Sequence, residues 1–317
     1  MKRVTQSRAS AVLYNVLRSN RVTGTALIPG NICESVPATY LKCGLEVRFC
    51  DIGRADWQAD RSAAAEIRRH GRISVLHWHH TYGYIGSGDN AFLEAVRAEH
   101  PGLLVVDDRC LCFPDIEGKD AVPADVVLYS TGNKKCVDIG GGGFGWIRDG
   151  LKYESHPLPY DPRAKQAFEE HTRMCRRDHA HVSREVMLSG WLDTENAPAD
   201  YDERVREAAG KAAEHRREIN EIYRDLPGSM DPAYCGWRYQ LLLENAAECA
   251  KALFDAGLFC SSHYRSLGNG YFTDDRTPGC EWLEQHVINL FNDFNVTKQQ
   301  AEQTAEILRD LARPARE

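Results

Sequence analysis

The sequence has no run approaching about 18 apolar residues, the length that a membrane-spanning helix needs, so we predict no membrane association. Its N-terminus has basic residues but no apolar signal core, which argues against secretion and predicts a cytoplasmic protein. Basic residues are not in excess, because 39 Lys and Arg stand against 46 Asp and Glu and give a net charge of -7. A general nucleic-acid-binding surface is therefore not expected.

Several short motifs are also missing. There is no Gly-x-x-x-x-Gly-Lys-Ser/Thr loop, and no Gly-x-Gly-x-x-Gly follows the first strand of the central stretch, so the common nucleotide loops are not predicted. The eleven cysteines contain no Cys-x-x-Cys pair and are scattered, as in a reduced protein. His77, His79 and His80, with Cys110 and Cys112, suggest a metal site, but Cys-x-Cys on an extended segment is a poor tetrahedral clamp. We predict no metal site.

What the sequence does contain is a regular alternation of short apolar runs and amphipathic segments. The predicted strands cover 24–28, 45–50, 73–78, 103–106 and 126–129, and the predicted helices cover 5–20, 34–43, 63–70 and 92–100. This rhythm predicts an α/β fold with a mostly parallel central sheet, right-handed crossovers and flanking helices. With 317 residues, of which 43% are hydrophobic, the chain is long enough for a large domain and a smaller one.

The pattern of the sequence changes after the Gly-rich segment at residues 140–143. Pro157, Pro159 and Pro162 indicate a linker. Amphipathic helices are predicted at 163–187, 203–225 and 232–256, short apolar runs follow in 258–290, and a last helix at 297–313 is opened by Thr297 as N-cap. We therefore predict a large domain over 1–155 and a helical segment with a small C-terminal α+β domain over 156–317.

Two predicted strands end in polar residues that could form a site. Asp107 and Asp108 follow the run 103–106, and Ser130, Lys134 and Lys135 follow the run 126–129. Because ligands of open α/β sheets bind outside the carboxyl ends of the strands, a carboxylate and an amine there could hold one cofactor from two sides. That pair suits pyridoxal 5'-phosphate. The lysine forms a Schiff base, the acid keeps the ring nitrogen protonated, and serine and backbone amides hold the phosphate.

The stretch from Gly102 to Ile147 resembles the DegT/DnrJ/EryC1/StrS aminotransferases, a family of fold-type-I pyridoxal-phosphate enzymes that act mostly on nucleotide sugars. The family signature is a serine, four residues, a lysine and an apolar step into a Gly-rich turn. Ser130 and Lys135 have this spacing, and residues 140–143 fall where the turn belongs. Asp108 matches the ring-nitrogen carboxylate. The resemblance implies that Lys135, not Lys134, is the Schiff-base lysine, with Asp107 an alternative to Asp108 if the register is off by one.

Looser matches extend the resemblance over most of the chain. Residues 75–83 resemble the family's Val-His-Leu-Tyr-Gly segment, and residues 262–264 resemble its late His-Tyr segment. These matches imply that His80 contacts the cofactor, and that Tyr82, His263 and Tyr264 contact substrate.

In the family, the first helix presents its N-terminus to the cofactor phosphate. Here this makes Ala9 and Ser10 candidates, since free amides and the helix dipole bind anions.

Three departures separate the sequence from typical members. Leu111 stands where many members have glutamine, and Gly141 replaces the acidic residue of the Gly-rich turn. The resemblance also begins near Ser7, close to the first residue, whereas typical sugar aminotransferases have a longer N-terminal region. The cofactor chemistry is therefore better supported than a sugar substrate.

The resemblance implies an aminotransferase that moves an amino group from glutamate or glutamine to a keto acceptor, such as a nucleotide keto-sugar or a cyclitol ketone. It also implies a homodimer with shared active sites. Two alternatives stay open: a pyridoxal-phosphate-dependent lyase, aldolase or cyclising enzyme on the same fold, and a non-catalytic paralogue that serves as a subunit.

Overall fold

The computed structural model describes residues 1–119 and 122–315, and within these ranges a seven-stranded sheet forms the centre of the molecule. Its strands are β1 (Lys2–Gln6), β2 (Thr25–Pro29), β3 (Glu46–Cys50), β4 (Ile73–His79), β5 (Leu104–Asp108), β6 (Val126–Ser130) and β7 (Gly143–Ile147). Their order is β1-β7-β6-β5-β4-β2-β3. Strands β2 to β6 pair in parallel, and β7 pairs antiparallel with both β6 and β1. The predicted α/β fold with a mostly parallel sheet is confirmed.

Helices cover both faces of this sheet. They are α1 (Ala9–Ser19), α2 (Ser35–Lys42), α3 (Ala63–Arg69) and α4 (Asp89–Glu99). Side chains alternate along a strand, so the sheet has two separate cores. Val106 of β5 packs in one core with α1 and α2, whereas Val105 packs in the other with α3 and α4.

One part of the first predicted helix is wrong. Residues 5–20 were expected to be helical, but Thr5 and Gln6 belong to β1 and the helix begins only at Ala9. The competing interaction is long-range, because β1 pairs along its whole length with β7.

The C-terminal half contains α5 (Pro162–Asp178), α6 (Arg184–Leu188), α7 (Tyr201–Tyr223), α8 (Ala246–Asp255), α9 (Pro278–His286) and α10 (Lys298–Leu311). It also contains a three-stranded antiparallel sheet, ordered β8-β10-β9, of β8 (Tyr239–Leu242), β9 (Cys260–Ser261) and β10 (Val287–Leu290).

The continuous helix predicted over 232–256 is wrong, since β8 precedes α8 and its buried Leu241 pairs with Ile288. The helix predicted over 163–187 is interrupted after Asp178, where His179 adopts left-handed backbone angles. Thr297 caps α10 as predicted, within a capping box formed with Gln300.

Helix α7 connects the two sheets. Val205 and Ala212 in its first half pack against the large sheet, and Ile219 and Tyr223 in its second half pack against the small one. The large sheet lies within residues 2–147 and the small sheet within 239–290, so the domain boundary near residue 155 falls between them and stays a prediction.

Three further findings bear on the predicted class. None of the helices in the described part of the chain combines the length and apolar character that crossing a bilayer requires. All eleven cysteines carry free thiols. Among residues 1–119 and 122–315, no three histidine, cysteine or acidic side chains are grouped so that they could hold a metal ion.

Candidate active site

A cavity of about 680 Å³ lies at the edge of the large sheet where β4, β5 and β6 end. Most of the predicted site residues line it together: Ala9, Ser10, Asp108, Ser130, Lys135, His263 and Tyr264. They come from four separate segments of the chain, and the parallel order of β5 and β6 brings Asp108 and the segment from Ser130 to Lys135 together. His80 and Tyr82 were also predicted to face the site, but they are not among the lining residues.

Asp108, the last residue of β5, is 3% exposed and is held at both carboxylate oxygens. Its Oδ2 lies 3.1 Å from Nε2 of His77, and its Oδ1 accepts a hydrogen bond of 2.9 Å from the Cys110 amide. Burial alone would raise the pKa of Asp108, but the hydrogen bond and charge of His77, with smaller effects from His79 and Cys110, hold it well below its usual range. Asp108 is therefore an anion that faces the cavity.

Asp107 points to the opposite face of the sheet. One carboxylate oxygen lies 2.6 Å from Nε2 of His80, and the other accepts a hydrogen bond of 2.9 Å from Nε of Arg109. The alternation of side chains along β5 thus separates the two acids, and Asp108 is the one that lines the cavity.

The same alternation separates His79 from His80. His79 ends β4, lines the cavity and is 2% exposed, and neither of its ring nitrogens has a hydrogen-bond partner among the described residues. Burial lowers the pKa of His79 to about 3, and the charge of Lys135 adds to this shift. The ring is therefore neutral at physiological pH.

His80 is instead engaged on both sides. Its second ring nitrogen, Nδ1, lies 3.0 Å from the Tyr84 carbonyl oxygen, opposite the Asp107 contact. The motif match predicted that His80 faces the cavity, but the structure places its neighbour His79 there.

Lys134 and Lys135 both line the cavity, but they differ in setting. Lys135 is half-buried, whereas Lys134 is exposed and has a left-handed backbone with φ of 64°. The carbonyl of Lys134 accepts a hydrogen bond of 2.6 Å from the Trp237 indole, and that of Lys135 accepts one of 3.1 Å from Arg216. Within the described residues no hydrogen bond or ion pair engages the Lys135 amine, so it is free to act on a ligand.

The N-terminus of α1 forms another side of the cavity. Ala9 and Ser10 are its first two residues, and the first amides of a helix have no acceptor within the helix. The Gly-rich turn allows this approach: a Cβ added to Gly143 would lie 2.1 Å from the Ala9 nitrogen. Free amides and the helix dipole make this side suitable for an anion. Arg8 adds a positive charge there, and its buried Nε has no partner among the described residues.

His263 and Tyr264 reach the cavity from the C-terminal half. Tyr82 supports them from behind, since its hydroxyl donates a hydrogen bond of 2.6 Å to the His263 carbonyl oxygen. Trp237 stacks between Tyr82 and Tyr264, with ring centroids 6.2 Å and 6.0 Å away. Burial, together with the charge of Arg238, lowers the pKa of His263 to about 3. Tyr82 thus contacts the cavity wall rather than the cavity.

Two groups of residues at the cavity were not predicted from the sequence. Tyr40 and His77 lie behind Asp108, and their role depends on contacts between α2 and β4 that no local motif reveals. The other group forms the outer wall on α5, where Arg173 and Arg176 line the cavity and Arg176 pairs with Glu34. In the sequence these arginines are part of a basic run within an amphipathic helix, and no motif connects that run with the site.

The geometry can be compared with that of known proteins. No protein-family model matches this sequence, and the search of curated proteins finds no match. Solved structures do match. Sugar aminotransferase CalS13 from Micromonospora echinospora is 19% identical, with a TM-score of 0.66 over 98% of this chain and 87% of that one. A DegT DnrJ EryC1 StrS aminotransferase from Brucella abortus is 13% identical, with a TM-score of 0.69 over 98% and 86%.

A third similar structure is Spr1654 from Streptococcus pneumoniae in its PLP form, which is 13% identical with a TM-score of 0.68 over 98% of this chain and 87% of that one. The PMP form of the same protein also matches. At these identities the comparison establishes the fold alone. Over almost its whole length, the chain has the fold that these aminotransferases share. This is the type-I fold that the motif around Lys135 predicted.

Proposed function

We propose that this protein is a pyridoxal-5'-phosphate-dependent aminotransferase. The observation that carries the proposal is the placement of buried, anionic Asp108 and half-buried Lys135 at one cavity, with the N-terminus of α1 on another side. The shared fold supports it, since one similar structure was solved in PLP and PMP forms.

The residues of the cavity fit the polar groups of this cofactor. The amine of Lys135 suits the aldehyde, the carboxylate of Asp108 suits the protonated ring nitrogen, and the amides of Ala9 and Ser10 with the Ser130 hydroxyl suit the phosphate. His79 has two buried ring nitrogens without partners in the described chain, as expected of a side chain whose neighbour is a ligand. A cavity of about 680 Å³ also leaves space for a substrate.

Bound pyridoxal phosphate would supply an electron-withdrawing ring that stabilises negative charge on a carbon next to the reacting nitrogen. The protein would do the rest. Asp108, held as an anion, would keep a proton on the ring nitrogen. Lys135 would carry protons to and from the substrate at Nζ as a general acid and base. His79 is neutral, so it would add no positive charge beside the ring.

For the substrates, we propose glutamate or glutamine as amino donor and a keto acceptor such as a nucleotide keto-sugar. The sugar acceptor is supported by the fold shared with CalS13, which is described as a sugar aminotransferase. The basic outer wall, with Lys134 and Arg173 both at the cavity, suits an acceptor with negative charge. We further propose a cytoplasmic homodimer in which each active site uses residues of both chains.

The proposal is tested by absorption spectroscopy of the purified protein, with Lys135→Ala and Lys134→Ala as a matched pair. We expect wild type and Lys134→Ala to carry a visible cofactor band that L-glutamate converts to a near-ultraviolet band. We expect Lys135→Ala to lack this conversion. Absence of any band in wild type supplied with pyridoxal phosphate would refute the enzyme and leave a non-catalytic subunit.

One observation favours a second candidate. Leu111 is 1% exposed and lines the cavity where many aminotransferases of this type have a glutamine, so a polar contact is replaced by an apolar one. A lyase, aldolase or cyclising enzyme that uses the same cofactor would fit this change. In the same experiment, that candidate predicts a band that requires Lys135 but does not respond to glutamate or glutamine.

A further inference from the structure

Behind Asp108, a chain of buried hydrogen bonds leads away from the cavity into the core. Nε2 of His77 lies 3.1 Å from Oδ2 of Asp108, and Nδ1 of His77 lies 3.0 Å from the hydroxyl oxygen of Tyr40. Tyr40 and His77 are both 0% exposed. These hydrogen bonds connect α2, β4 and β5, so the position of Asp108 depends on three elements of the fold.

The positions of the protons in these hydrogen bonds are constrained by the two outer groups, Tyr40 and Asp108. Burial raises the pKa of Tyr40 well above its usual value, so the hydroxyl keeps its proton and can donate it to Nδ1 of His77. Asp108 is an anion and can only accept. Nε2 of His77 therefore carries a proton that is directed at Asp108.

Other groups also face Asp108, and they leave this assignment intact. His79 approaches from β4 with Nδ1 at 3.9 Å, and the Cys110 amide donates to Oδ1. Tyr264 approaches from the C-terminal half, and burial keeps its hydroxyl protonated by raising its pKa. Lys135 supplies a positive charge near these residues, and this charge lowers the pKa of both His79 and Cys110.

We propose that Tyr40 and His77 are positioning residues, which hold Asp108 ionised and aimed at the ring nitrogen of the cofactor. The inference rests on the proposed function, because it assigns Asp108 that partner. Without the His77 hydrogen bond, one carboxylate oxygen would be buried without its partner. Asp108 could then bind a proton itself and would no longer hold one on the ring nitrogen.

The first test needs no cofactor. The tautomer of His77 is read from the imidazole nitrogen chemical shifts of cofactor-free protein labelled at its histidine rings, with His77→Gln used to assign the signals. We expect a ring that is protonated at Nε2 and whose Nδ1 shift changes in Tyr40→Phe. A ring protonated only at Nδ1, or one that does not sense Tyr40→Phe, would overturn this hydrogen-bond arrangement whatever the cofactor does.

The second test is the dissociation constant of pyridoxal phosphate as a function of pH, measured by fluorescence quenching. His77→Leu removes the donor to Asp108, whereas His77→Gln keeps an N–H donor in a similar place. We expect His77→Leu to weaken binding about 10- to 100-fold, because a hydrogen bond to a charged group is lost. The loss should be larger at acidic pH, where Asp108 becomes protonated, and His77→Gln should restore most of the affinity.

Tyr40→Phe is the milder variant, and we expect it to weaken binding about three- to tenfold. Its matched control is Tyr223→Phe, which removes another buried hydroxyl, donated to the Phe291 carbonyl oxygen in the C-terminal half, and should leave affinity unchanged. Wild-type affinity and pH dependence in both Tyr40→Phe and His77→Leu would overturn the inference while the proposed function stands. A wild-type protein that binds no cofactor would overturn the proposed function itself.

Discussion

Asp107 and Asp108 are consecutive in the sequence but take part in separate hydrogen-bond networks on opposite faces of the central sheet. Asp108 lines the cavity and contacts His77, whereas Asp107 lies on the other face between His80 and Arg109. Both acids are buried, since Asp108 is 3% exposed and Asp107 is 1% exposed. Because one network faces the cavity and the other is closed, we expect the two acids to differ in what they contribute.

Replacing each acid by its amide should separate these contributions. We expect Asp108→Asn to keep the fold but to weaken pyridoxal phosphate binding at least about tenfold, since the anion proposed to pair with the ring nitrogen is lost. We expect Asp107→Asn to lower the free energy of unfolding by about 3–5 kcal/mol, because it removes a buried negative charge that pairs with His80 and Arg109. Urea unfolding and equilibrium dialysis on both variants measure the two effects. The reverse pattern would show that the acids have been assigned to the wrong roles.

The histidine pair at the end of β4 gives an equally sharp contrast in the cofactor-free protein. His79→Phe removes two buried nitrogens that lack partners in the described chain, so we expect the free energy of unfolding to rise by about 1 kcal/mol. His80→Phe removes a histidine paired with buried Asp107, so we expect a fall of about 3–5 kcal/mol. Chemical denaturation of the two variants without cofactor provides the comparison. Equal losses would mean that His79 has a structural role like that of His80.

Much of the arrangement of this cavity could be predicted from the sequence, and the predictions that were wrong have physical causes. The strands before Asp108 and Ser130 are short buried runs, and their parallel order places both residues at one edge. The choice of His80 over His79 came from a motif match, whereas the alternation of side chains along β4 decides which ring faces the cavity. The edge strand β1 could not be predicted locally, because its partner is the Gly-rich strand β7, more than 130 residues away.

The ion pair of His80 and Asp107 should also appear in the pH dependence of stability. Burial opposes the charged form of His80, but Asp107 overcomes this and raises the pKa of the histidine. A raised pKa in the folded state means that the stabilisation is complete below the unfolded value of about 6.5 and is lost as pH rises through the folded value. We therefore expect the difference in unfolding free energy between wild type and His80→Phe to shrink as pH rises above about 6.5. A difference that grows over this range would contradict the pairing.

The Gly-rich turn offers a test of the phosphate site that does not depend on catalysis. A Cβ at Gly143 would lie 2.1 Å from the Ala9 nitrogen, whereas a Cβ at Gly141 meets nothing within 4 Å. Neither glycine has left-handed backbone angles, so the contrast between Gly143→Ala and Gly141→Ala is one of space alone. We expect Gly143→Ala to push the start of α1 away from the turn and to cost about 1–3 kcal/mol of unfolding free energy.

Displacement of α1 should also move the amides of Ala9 and Ser10 that are proposed to hold the phosphate. The binding of pyridoxal phosphate and of pyridoxal, which lacks the phosphate, distinguishes this local effect from general damage. In Gly143→Ala, the affinity for pyridoxal phosphate should fall by at least about tenfold, while the weaker affinity for pyridoxal changes little, because only the charged ligand uses the helix N-terminus. Gly141→Ala should bind both ligands as wild type does. An equal loss for both ligands in Gly143→Ala would place the phosphate elsewhere in the cavity, and the N-terminus of α1 would then serve only to pack against the turn.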